Sequence, residues 1–111
     1  MVRPPSVGLA DKLFTSRLSE GACGLYKPES NECISFRFDP ATVPFIGLWI
    51  CQGGWPSPAH GHYTVALEPC TGRPDSLEIA IARRENDLIR AREEKSWTLR
   101  LSLGPAPPDP F

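Results

Sequence analysis

The run Phe45-Ile46-Gly47-Leu48-Trp49-Ile50-Cys51 contains no charged or hydrogen-bonding polar side chain apart from an indole and a thiol. It is far too short to span a bilayer. Because it does not alternate, it reads as a strand covered on both faces, and such a strand belongs in the middle of its sheet. A chain built around it has to supply further strands, and these are legible as alternating segments. Tyr63, Val65 and Leu67 alternate with Thr64, Ala66 and Glu68. Ile34, Phe36 and Phe38 alternate with Ser35 and Arg37, and Trp97, Leu99, Leu101 and Leu103 with Thr98, Arg100 and Ser102. At a period of two, each set presents an apolar face and a polar one, so Glu68 is expected on the face opposite Tyr63, Val65 and Leu67.

The remaining pattern is also mostly strand. Strands are expected over Lys12–Leu18, Ala22–Tyr26 and Cys33–Phe38, and the turn chemistry of Lys27-Pro28-Glu29-Ser30-Asn31-Glu32 makes the last two a hairpin. Gly53-Gly54 predicts a bulge or a close backbone approach. Only Asp75–Arg84 competes for helix: Asp75 and Glu78 have capping-box spacing and Leu77, Ala80 and Ile81 share a helical face, although Leu77, Ile79 and Ile81 also alternate as a strand would. One to three turns are expected there. The fold class that follows is all-β, an antiparallel sandwich with one short helix after Asp75. Residues 1–10 read as an extended N-terminal segment, residues 11–104 as the β-sandwich portion and residues 105–111 as a proline-rich tail.

Length limits the chain to one domain or part of one. Thirteen acidic and twelve basic residues, in no block of like charge, argue against a nucleic-acid partner. The N-terminus has no apolar segment of the kind a signal peptide needs and no run approaches a membrane span, so a cytoplasmic protein with no membrane partner is expected. Cys23, Cys33, Cys51 and Cys70 include no C-x-x-C pair and no histidine at zinc-finger spacing. They are expected as reduced thiols at strand positions, with no metal, although two disulfides are open to them in an oxidising compartment.

Four residues are candidates for chemistry. Glu68 is a carboxylate on a strand that runs into a Pro/Gly turn, where a fixed backbone suits a general base; the plainer reading is a solvated strand residue. Asp75 follows in that turn and either joins the site or caps the helix. His62, separated from His60 by Gly61, offers an imidazole in a Pro/Gly-rich loop. Trp55, after the glycine pair, offers a flat face for the C–H side of a sugar ring, whereas Trp49 and Trp97 read as core.

The segments Gly47-Leu48-Trp49-Ile50-Cys51-Gln52-Gly53-Gly54-Trp55-Pro56, Val65-Ala66-Leu67-Glu68-Pro69-Cys70-Thr71-Gly72-Arg73-Pro74-Asp75-Ser76-Leu77 and Trp97-Thr98-Leu99-Arg100-Leu101 resemble the C-terminal part of the aldose 1-epimerase (galactose mutarotase) family. The resemblance covers roughly residues 8 to 104, about the last third of a family member. It implies a portion of a galactose mutarotase-like supersandwich whose open sheet face binds a monosaccharide or other small sugar. It places the family's Leu-Glu and Pro-Asp on Leu67-Glu68 and Pro74-Asp75, which makes Glu68 the base. Glutamate takes the anomeric proton while a histidine protonates the ring oxygen, and the opened sugar recloses as its other anomer without cofactor or metal. The family's histidines lie upstream of the matched region, and Ile89–Lys95 stands where relatives carry a Pro-Gly-Glu turn. A partial supersandwich leaves open sheet edges, so self-association is expected. Two other functions fit the same residues: a non-catalytic carbohydrate-binding or interaction module, and hydrolysis by Glu68 and Asp75, which requires the two carboxylates about 5–10 Å apart.

Overall fold

The computed structural model describes residues 3–105. Six strands and one helix follow in the order β1 (Leu9–Phe14), β2 (Ala22–Lys27), β3 (Glu32–Arg37), β4 (Phe45–Gln52), β5 (Tyr63–Cys70), α1 (Leu77–Arg83) and β6 (Arg100–Pro105), after a 3-10 turn at Pro5–Val7. They form two three-stranded sheets, β1-β4-β5 and β2-β3-β6, antiparallel throughout. The chain is therefore all-β and sandwich-like with a single short helix, as its alternation predicts.

The apolar run is the central strand of the first sheet. β4 pairs with β1 from Leu9↔Gln52 to Phe14↔Gly47 and with β5 from Phe45↔Cys70 to Gln52↔Tyr63. Its two ends are buried and its middle, Leu48 to Ile50, is half-buried. Val43 and Phe45 form the core at one end and Cys51 at the other, all with almost no exposed surface. The β2–β3 hairpin turns through Asn31, whose φ of 52° is a left-handed value that asparagine tolerates.

Several expectations shift. The first strand starts at Leu9 rather than Lys12 and stops at Phe14, because its partner β4 reaches to Gln52 and draws Leu9–Asp11 into the ladder. Strand thus begins inside the segment expected to be extended; of the tail, residues 106–111 lie outside the described residues. β6 begins at Arg100, and Trp97, expected as core, is half-exposed in the coil before it. Among the described residues nothing covers β6: all six of its residues are exposed, so its alternation separates two faces without burying either. In α1 the N-cap is Ser76, whose hydroxyl accepts from the Ile79 amide, so Asp75 caps nothing and lies one residue outside the helix. Of the expected helical face only Ala80 is buried, while Leu77 and Ile81 are exposed.

The two sheets approach each other where β2 runs near β5. The Cα radius of gyration, 16.2 Å, exceeds the roughly 13 Å of a compact domain of about this length. Large apolar side chains accordingly stay in solvent, among them Leu9, Leu13, Tyr63, Leu101 and Leu103. No helix among the described residues is long and apolar enough to cross a membrane. All four cysteines are free and all sit in strands, and burial pushes the Cys23 thiol pKa up.

Candidate functional site

Glu68 lies on β5 opposite Gly47, so it shares a sheet face with every second side chain of each strand, among them Phe45, Trp49 and Cys51 of β4, Ala66 and Cys70 of β5, and Lys12 and Phe14 of β1. This is not the purely polar face that the alternation of β5 alone predicts. β4, apolar at every position but its last, gives both sides of the sheet large side chains.

The Glu68 carboxylate accepts from the Lys12 ammonium across the width of the sheet. The lysine reaches it over Gly47, where a Cβ would sit 3.3 Å from Lys12 Cε and Phe14 Cε1 and 3.4 Å from Glu68 Oε2. Gly47 is thus the floor of the ion pair, and a Cβ there would press on Lys12 and Phe14 and touch Glu68. Lys12 Nζ also lies 5.4 Å from the centre of the Phe14 ring. The Lys12 side chain is 22% exposed and that of Glu68 40%, so the carboxylate is the more accessible member.

On the Cys51 side of the pair lies an aromatic group. Trp55 is 53% exposed and meets Trp49 edge-on, with ring centres 6.1 Å apart and planes at 86°. The His62 ring stacks on Trp55 at 5.4 Å and 30°. Trp49 pairs with Ala66, the residue two before Glu68, so the aromatic group and the ion pair are diagonal neighbours on one face. The loop that carries Trp55 is closed by backbone bonds from Gly53 N to His62 O (2.9 Å) and from His62 N to Trp55 O (2.7 Å). Gly53, at φ +86°, packs against Pro5, and a Cβ on Gly54 would collide with Leu9 and Ala10. The glycine pair is the close backbone approach that its sequence predicts.

The predicted residues therefore separate into two groups. Glu68, Trp55 and His62 share one face. Asp75 is exposed beyond the opposite end of β5 from His62, after the Gly72-Arg73-Pro74 turn. His60 is exposed, its amide bound to Ser57 O at 3.0 Å. Lys12 was not foreseen, because its partner lies 56 residues away in the chain; only the pairing of β1 with β4 brings them together. Among the described residues no group of three or more His, Cys, Asp or Glu is placed to hold a metal ion.

A second polar cluster closes the end of the same face. Arg73 donates to the Thr15 carbonyl and, at 2.7 Å, to Glu85, and its guanidinium lies 5.0 Å from the Phe45 ring centre. Arg17 lies 5.1 Å from the same ring. The Arg73 hydrogen bond, opposed by partial desolvation, holds the Glu85 carboxyl below its ordinary range. Compared with protein-family models, curated proteins and solved structures, the chain has no match.

Proposed function

We propose that this chain binds a small sugar on the face carrying Trp55, Trp49 and Glu68, and that it is an aldose 1-epimerase-like protein with Glu68 as base. The observation that carries the reading is a single sheet face that holds an accessible carboxylate, Glu68, diagonal to Trp49, and a half-exposed indole, Trp55, packed edge-on against Trp49. Trp55 offers a plane for the C–H face of a pyranose, and Glu68 and Lys12 offer an acceptor and a donor for its hydroxyls. In the reaction Glu68 takes the proton of the anomeric hydroxyl, the bond from C1 to the ring oxygen breaks toward the oxygen, and that oxygen is protonated. The open aldehyde turns about C1–C2 and recloses. His62 is committed to the Trp55 platform, whereas the Lys12 ammonium already stands at Glu68, which makes Lys12 the nearer proton donor.

The second reading, a carbohydrate-binding module without catalysis, is favoured by the same ion pair. A carboxylate held by an ammonium must release it to act as base. Hydrolysis by a Glu68 and Asp75 pair draws no specific support, because Asp75 is exposed beyond the turn that follows β5 rather than on the sheet face of Glu68.

Polarimetry of freshly dissolved α-glucose and α-galactose, run beside tryptophan-fluorescence titration with each sugar, tests both readings. Catalysis by Glu68 requires acceleration that falls roughly a hundredfold or more in Glu68→Gln. No acceleration, with sugar-dependent quenching that Trp55→Ala abolishes, leaves the binding module. Neither acceleration nor quenching sinks both.

A further inference from the structure

The four strands at the edges of the two sheets are not equally protected. β1 carries Asp11 and Lys12, β2 ends on Lys27, and β5 carries Glu68 and Pro69 and runs near β2. Charges, prolines and neighbouring elements are the devices that keep sheet edges from pairing with other chains. β2 and β6 both lack them between their ends, but β2 has β5 nearby whereas all six residues of β6 are exposed. β6 has Arg100 at its first position, Pro105 at its last and Leu-Ser-Leu-Gly between, with Leu101 52% and Leu103 74% exposed. Its outer edge has no strand beside it among the described residues.

We infer that β6 pairs antiparallel with β6 of a second copy of this chain, about a two-fold axis at Ser102, joining two three-stranded sheets into one of six strands. The sequence is self-complementary in that register. Leu101 of each copy stands opposite Leu103 of the other, on the face where Leu25, Ile34 and Phe36 already lie, so the apolar surface runs unbroken across the axis. An open recess of about 590 Å3 on that face is bounded on its outer side by Leu103, and the second copy's Leu101 packs against that side.

The charges do not oppose the same occupant. On the opposite face Arg100 stands directly across from Arg37, a like-charge pair, and neither makes a salt bridge among the described residues. In the two-fold register Arg100 faces Gly104 of the second copy, where a Cβ would have nothing within 4 Å. That register therefore sets no side chain against the Arg100 guanidinium, which can still turn away from Arg37. Pro105, which has no amide hydrogen to donate, ends the ladder. The inference is independent of the sugar-binding reading.

Sedimentation of the purified chain over about a hundredfold range of concentration is expected to show a monomer–dimer equilibrium. Leu103→Lys, a charge on the open edge, raises the dissociation constant at least tenfold while the circular dichroism of the sheets is unchanged. Mild oxidation supplies a readout that does not depend on that variant. Ser102→Cys, at the axis, forms a disulfide-linked dimer mapped to residue 102, whereas Leu101→Cys, displaced along the strand from its own copy, does not. A chain that stays monomeric throughout, as it would if the edge served a strand of a different protein, overturns the inference. So does a dimer that Leu103→Lys leaves intact, or one that Leu101→Cys links as readily as Ser102→Cys.

Discussion

Replacing Arg73 by alanine removes the side chain on which the end of the first sheet converges. Its guanidinium donates to Thr15 O, and Thr15 is itself tied to β4 by its amide to Ile46 O (3.0 Å) and by its hydroxyl from Ile46 N (3.1 Å). A charged hydrogen bond to a carbonyl in a part-buried setting is worth about 1.5–3 kcal/mol, and the contact with the Phe45 ring adds about 0.5–1 kcal/mol. With the Glu85 ion pair left out of the sum, Arg73→Ala should cost about 2–4 kcal/mol. Domains of this size are stable by about 5–15 kcal/mol, so the loss is a large share. It corresponds to a fall in Tm of roughly 9–17 °C. Arg73→Lys keeps a cation near Phe45 but loses the planar fork that serves Thr15 and Glu85 together, and should fall between wild type and alanine. Urea titration followed by tryptophan fluorescence gives both values. A loss below about 1 kcal/mol for the alanine variant would place Arg73 among ordinary surface ion pairs and refute the reasoning.

Two further outcomes concern acid and a single methyl group. Hydrogen bonds from Arg73 and from Lys95 hold the Glu85 and Asp87 carboxyls below their ordinary ranges. The unfolded chain therefore binds protons first as pH falls, and the stability these pairs contribute is full above roughly pH 4.5 and lost progressively below it; acid titration of Glu85→Gln with Asp87→Asn should show a flatter loss across that window than wild type. At Gly61 a Cβ would stand 2.0 Å from Gly53 O, so Gly61→Ala must part the backbone bonds that close the Trp55 loop. It should destabilise the chain by about 1–3 kcal/mol and make the Trp55 environment more aqueous, read as a red shift in emission; an unshifted spectrum would show that the loop absorbs the methyl without opening.

Much of the fold was legible because it is local. The Lys27–Glu32 turn specifies the β2–β3 hairpin, and an apolar run without alternation marks β4 as central before any partner is known. Position 76 shows the limit of local reading. Asp75 and Ser76 are both good caps, and the choice falls to the geometry in which the chain leaves the turn after Cys70. What failed was what depends on distant chain. Nothing in Leu9–Phe14 says that it continues to Gln52, and so nothing paired Lys12 with Glu68. Alternation from Trp97 to Leu103 separates faces without saying whether anything covers one, and among the described residues nothing covers β6.

The order in which the strands pair also sets the order in which they can. All three strands of the first sheet lie within residues 9–70, so its ladders can pair before the rest of the chain arrives, with Arg73 and Glu85 bracing its end afterwards. The second joins residues 32–37 to residues 100–105, and β3 keeps an unfilled edge until the last strand arrives. Such non-local closure is slow, because the entropy of a long loop is lost before any contact compensates it. During synthesis the hairpin therefore waits with one side open for as long as residues 71–99 are being added. A ribosome that pauses in that stretch, or a message cut short within it, releases a chain whose first sheet is paired and whose second can be completed only by a strand from elsewhere.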